Sequence, residues 1–186
     1  LFAKGYYAYG FNSNNHYYNA ELTYSLNKKD YLPREFPKRT LTLLSTFDIA
    51  SPSDKFVPTD KDNVFIALKW DKVDKMILYN RQQATLEYET DFGIKTTLSL
   101  KTERNQPIGS LQYLALDSSA IHSFRTTELH AEIRIAPDET YINTKQRRLT
   151  INNDKPVFTL SHTTAIHNLL ASDYSLNLTE ARIYYR

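Results

Sequence analysis

The sequence predicts an all-β fold, an antiparallel up-and-down meander that forms a segment of a transmembrane β-barrel, with about nine strands in the chain. Three observations carry this expectation. Apolar and polar residues alternate with period two along much of the 186-residue chain, as they do where successive side chains of a strand face opposite sides of a sheet. Several of these runs reach about ten residues, the length of a tilted strand crossing a bilayer, whereas strands of soluble sheets are commonly five or six. The third is an excess of aromatic residues, 14 Tyr and 9 Phe against 4 Gly. Tyrosines fall near strand ends, at Tyr7, Tyr9, Tyr17, Tyr18, Tyr184 and Tyr185, where a barrel carries its aromatic girdles.

The clearest element is a hairpin over Ala84 to Glu103. Ala84, Leu86 and Tyr88 alternate with Thr85, Glu87 and Glu89; Thr90-Asp91-Phe92-Gly93 makes the turn; Ile94, Thr96, Leu98 and Leu100 then alternate with Lys95, Thr97, Ser99 and Lys101. Before it, strands are expected over Tyr6 to Phe11, Tyr18 to Leu26, Leu41 to Ile49 and Val64 to Trp70. They are separated by a turn at Asn12 to Asn15, a connection from Asn27 to Pro37 and a Pro-, Ser- and Asp-rich loop from Ala50 to Asn63. Asp71 to Asp74 breaks the pattern, and Met76 leads into the hairpin. Asn105 to Ser123 is irregular, with room for a helical turn or two between Leu111 and Ile121. Leu129 to Ile135 alternates with Glu128, His130, Glu132 and Arg134; a polar loop spans Ala136 to Lys155; Phe158 to Ile166 carries the eighth strand, and the ninth starts near Tyr174. All seven prolines fall between these strands or at a first residue, as expected of a residue that cannot donate to a ladder.

Composition narrows the function. Lys plus Arg number 23 against 21 Asp plus Glu, a net charge of +2, so there is no concentrated basic footprint for nucleic acid. The absence of cysteine excludes disulfides and thiolate metal sites. No run approaches the roughly 18 apolar residues of a transmembrane helix. Leu1-Phe2-Ala3-Lys4-Gly5 is no signal peptide, and both termini lie in strand-like patterns, so the chain is expected to be one segment, 1–186, of a barrel domain with flanking strands outside it.

Within hydrocarbon every backbone polar group must be paired, so a spanning sheet closes on itself, apolar outside and polar inside. The faces holding Glu87, Glu89, Lys95, Lys101, Glu128, His130, Glu132 and Arg134 then form a lumen-facing network. The same alternation also suits a soluble antiparallel sheet with one wet face, a binding module whose aromatics make a carbohydrate or protein platform.

Several runs resemble an uncharacterised outer-membrane family of the Bacteroidota: Arg34-Glu35-Phe36-Pro37-Lys38, Pro58 to Phe65, Thr102-Glu103-Arg104-Asn105-Gln106-Pro107, Ile142 to Arg148 and Phe158-Thr159-Leu160-Ser161-His162. Members carry an N-terminal carboxypeptidase-regulatory-like domain, and their C-terminal part is a domain of unknown function. The resemblance implies a C-terminal barrel in the bacterial outer membrane, distantly similar to barrels that handle polypeptides, in contact with lipid, lipopolysaccharide and periplasmic proteins. It brings no established reaction, no catalytic residues and no cofactor; transport, assembly or anchoring is the expectation for an outer-membrane barrel as such.

Other motifs are weaker. His162 and His167 face opposite sides of a strand, and Glu128, His130 and Glu132 share a face but need a ligand from another strand, so no metal site is assigned. Thr59-Asp60-Lys61-Asp62-Asn63 lacks the glycine and distal glutamate of a calcium loop. Lys145, Arg147 and Arg148 form the one compact basic cluster, suited to anionic lipid headgroups or simply to solvent. No Gly-x-Ser-x-Gly and no phosphate-cradling glycine loop occurs, so no enzyme is expected. A barrel hydrolase would need Ser or Asp beside His at the rim.

Overall fold

The computed structural model describes residues 1–11, 14–27, 37–52, 55, 75–137, 139–143, 148–152 and 155–185. Its strands are β1 (Phe2–Gly10), β2 (Asn15–Ser25), β3 (Arg39–Ala50), β4 (Lys75–Glu89), β5 (Ile94–Gly109), β6 (Tyr113–Leu114), β7 (Ala120–Ile121), β8 (Phe124–Ile135), β9 (Thr140–Asn143), β10 (Arg148–Asn152), β11 (Val157–Ala165) and β12 (Leu176–Tyr184). Eight of them form one antiparallel meander in the order β1-β2-β3-β4-β5-β8-β11-β12. The two short pairs, β6 with β7 and β9 with β10, are separate hairpins within connections.

The central hairpin sits where alternation places it. Every residue from Lys75 to Glu89 has a partner between Lys95 and Gly109. The turn is closed by Thr90, whose N–H donates to the Ile94 carbonyl at 2.8 Å while its Oγ1 accepts from Ile94 N–H at 3.2 Å. Gly93 has φ +77°, a left-handed conformation that costs glycine nothing. A Cβ there would collide with the carbonyl of Ala136, and Ala136 N–H donates to Gly93 O at 2.9 Å.

Four expectations are corrected, and a fifth lies outside the described residues. β5 runs on to Gly109, so Pro107 lies inside a strand, opposite Ile77. This is tolerable because β8 pairs with β5 only as far as Asn105, which leaves Pro107 at a locally free edge needing no N–H there. Between Leu111 and Ile121 there is a small antiparallel ladder rather than a helix. The Ala136 to Lys155 stretch contains the β9–β10 hairpin. Tyr17 is buried, its ring 6.1 Å from that of Phe47, rather than at an outer rim. The strand expected over Val64 to Trp70 lies outside the described residues; β3 and β4, which flank it in sequence, are direct neighbours along their length. Among the described residues the main sheet has eight strands, those expected apart from the one over Val64 to Trp70.

The two faces of the sheet differ over most of its length. On one, Leu22, Leu43, Ala84, Leu100 and Leu129 lie in one cross-strand row, and Tyr24, Leu41, Leu86, Leu98 and Ala131 in the next. On the other, Thr23, Thr42, Thr85, Ser99, His130 and Thr163 form a row, with Thr40, Glu87, Thr97, Glu132 and Ser161 beside it. The shielded face is the polar one. Thr23, Thr40, Thr46, Ser99, Glu103 and Ser161 are buried, whereas the leucines of the opposite face are exposed.

Candidate functional site

The polar face is a lattice of side chains set by strand register. Lys101 Nζ meets Glu128 Oε2 at 2.8 Å, Lys95 Nζ meets Glu87 Oε1 at 2.7 Å, and Lys38 approaches Glu87 at 3.8 Å. Lys4 meets Glu21 at 3.0 Å near the β1 edge. Between these pairs the hydroxyls interlock. Gln83 Nε2 donates to Ser99 Oγ at 3.1 Å, Thr85 Oγ1 donates to the same oxygen at 3.2 Å, and His130 Nδ1 lies 2.8 Å from Thr163 Oγ1. Around them is a groove of about 380 Å³ whose lining includes Arg81, Lys101, Glu128, His130 and Thr163. Charges of both signs with hydroxyls between them make a surface that water wets, with little net field along it.

The expected network is thus brought together in part. Glu87, Lys95, Lys101, Glu128 and His130 join it directly. Glu132 lies on the same face, opposite Thr97 and Ser161, with no ionic partner among the described residues. Glu89 leaves the lattice: it is buried at the strand end, where its Oε2 accepts the Lys38 N–H at 2.7 Å. Arg134 turns to the β9–β10 connection and grips Glu139 with both guanidinium branches, at 2.7 and 2.8 Å. Burial, reinforced by the hydrogen bond to Glu139, raises the phenol of Tyr141 above its ordinary range. Ser99 and His130 face each other across β5 and β8, but no hydrogen bond joins them. His162 binds Thr179 and His167 binds the Asp173 carbonyl, so these histidines do not converge. Among the described residues there is no cluster of three potential metal ligands. The calcium-like stretch and the residues Lys145 and Arg147 lie outside the described residues; Arg148 begins β10.

A second cluster has no counterpart in the sequence reading. After β3, Lys55 N–H donates to Ser51 O at 3.1 Å. The Lys55 amine thereby reaches Glu103 Oε1 at 2.9 Å, hydrogen-bonds Asn105 and stands 4.1 Å above the Tyr79 ring. Arg81 Nε binds the other oxygen of Glu103 at 2.5 Å. The Lys55 and Glu103 side chains are only 5% and 7% exposed, and burial draws the amine below the usual lysine value against the opposing pull of Glu103. Parity with Glu87 and Lys101 would have placed Arg81 and Glu103 on this face; nothing local announces Lys55.

Searches against protein-family models, curated proteins and solved structures find no match to the chain.

Proposed function

We propose that the chain is part of an outer-membrane β-barrel of the Bacteroidota family it resembles, acting as a transport, assembly or anchoring element rather than an enzyme. The observation that carries this reading is the inversion of the two faces. Leu98, Leu129, Ile133 and Leu160 are 41–54% exposed in mid-strand, whereas Thr40, Ser99, Glu103 and Ser161 are 3–8% exposed. A soluble sheet hides its apolar face, and leaving a leucine in water forgoes about 1.5–3 kcal/mol. Hydrocarbon solvent removes that cost.

Aromatic placement supports the same reading over a single sugar- or protein-binding platform. Tyr7, Tyr18 and Phe47 share a cross-strand row at one end of the apolar face, while Tyr24, Tyr88 and Phe158 stand toward the other. Tyr18 and Tyr24 are six residues apart on β2, about 20 Å of strand or about 15 Å of depth at a tilt near 40°, which fits inside the roughly 25 Å apolar band of such barrels. The test is extraction and electrophoresis of the full-length protein. Detergent dependence and different mobility of heated and unheated samples are expected; monodisperse solubility in buffer with a single mobility overturns the proposal in favour of a soluble binding module.

A further inference from the structure

Toward the end of the sheet where β5 leaves β8, the outward apolar face turns polar and carries two cations. Arg104 and Arg125 are direct cross-strand partners, on the same face as Leu100 and Leu129. Like charges directly opposite one another repel, and neither guanidinium has a carboxylate partner among the described residues. Arg104 Nη2 donates to Ser123 Oγ at 3.2 Å; at Arg125 it is the main-chain N–H, not the side chain, that donates to Asp173 Oδ2, at 2.6 Å.

Two cavities meet here. One, of about 530 Å³, contains both arginines with Asn80 and Ala171 and no acidic side chain. The other, of about 590 Å³, runs over Ala20, Leu22, Leu43, Ala84 and Leu100. They share Gln82, Thr102 and Leu170, so a doubly cationic mouth opens into a greasy trough on the same surface.

We propose that this composite groove binds one anionic membrane lipid, its phosphate held between Arg104 and Arg125 and an acyl chain laid against Leu22, Leu43 and Leu100. Charge complementarity selects an anion, the two guanidinium forks suit phosphate oxygens, and the trough selects an amphiphile over a free ion. The inference rests on the membrane reading and adds to it a specific lipid site, built from residues other than Lys145, Arg147 and Arg148.

The test is native mass spectrometry of the folded full-length protein in detergent, titrated with dioleoyl phosphatidic acid, dioleoyl phosphatidylcholine or inorganic phosphate. Phosphatidic acid is expected to bind at least about tenfold more tightly than phosphatidylcholine, and Arg104→Gln and Arg125→Gln each to weaken it about tenfold. Ala84→Trp, which fills the trough and leaves both guanidiniums, should weaken it too. Equal binding of the two lipids, or phosphatidic acid binding that survives the double arginine variant, overturns the site. Inorganic phosphate binding as tightly as phosphatidic acid overturns the lipid and leaves a plain anion site. Flotation with liposomes separates the two claims: a protein that floats but lacks arginine-dependent lipid binding loses only this site, and one that neither floats nor needs detergent loses the membrane reading itself.

Discussion

Replacing Leu98 with arginine sets the two descriptions of the apolar face against each other. Leu98 lies opposite Leu86 on one side and Ala131 on the other, with Leu100 two residues along β5. From Ile94 to Leu100 the belt on this strand spans six residue steps, about 20 Å of strand, or about 15 Å of depth at a tilt near 40°. Leu98 stands about 7 Å along the strand from its edge, or about 5 Å in depth. Arginine facing lipid costs about 2–4 kcal/mol at the midplane and little near the interfaces, so Leu98→Arg should lose about 2–3 kcal/mol, roughly a thirty- to hundred-and-fifty-fold change in the folded-to-unfolded ratio. The control is Thr97→Arg, one residue away on the polar face between Glu87 and Glu132, which should change stability by less than about 0.5 kcal/mol. Equilibrium unfolding in phospholipid vesicles, followed by the fluorescence of the chain's one tryptophan, measures both. A neutral Leu98→Arg with a costly Thr97→Arg would refute the assignment of faces.

Three further outcomes follow from the packing. Glu103→Gln leaves Lys55 and Arg81 without their shared carboxylate in a buried site and should cost about 3–5 kcal/mol, read as a lower unfolding midpoint and faster proteolysis of the chain after β3. Gly93→Ala forces a side chain into a left-handed turn and against the Ala136 carbonyl, and should cost about 1–3 kcal/mol in the same unfolding assay. Ser172→Ala removes the acceptor of the Thr127 N–H, 3.2 Å away at a fully buried residue, and should cost about 1 kcal/mol, with faster amide exchange at Thr127.

Long strands with one wet and one greasy side were legible in the sequence because their alternation survives many residues. The hairpin around Gly93 and the strands carrying Leu43, Leu129 and Leu160 are examples. Pieces of two to five residues, such as Tyr113–Leu114 or Thr140–Asn143, are too short to alternate, and their ladders depend on a hairpin partner. The continuation of β5 past Asn105 was obscured by Pro107, whose meaning depends on where the neighbouring strand stops. In the polar lattice, parity identified the face of Glu87, Lys101 and Glu128. It could not show that Glu89 and Arg134 would be claimed by Lys38 and Glu139, since those partners come from connections. The pairing of Arg104 with Arg125 required register between β5 and β8, which alternation does not fix.

The most direct test of the central claim uses residues 95 to 101, a stretch without native cysteine. Single cysteines at positions 95 to 101 of the full-length protein, spin-labelled in liposomes, report accessibility to oxygen, which concentrates in lipid, and to a water-soluble nickel chelate. Period-two profiles out of phase are expected: oxygen contact high at Thr96, Leu98 and Leu100, nickel contact high at Thr97, Ser99 and Lys101. Labels at Leu98 and Leu100 that are shielded from both reagents, as under a second protein layer, or that meet the nickel chelate as freely as their neighbours, would contradict it.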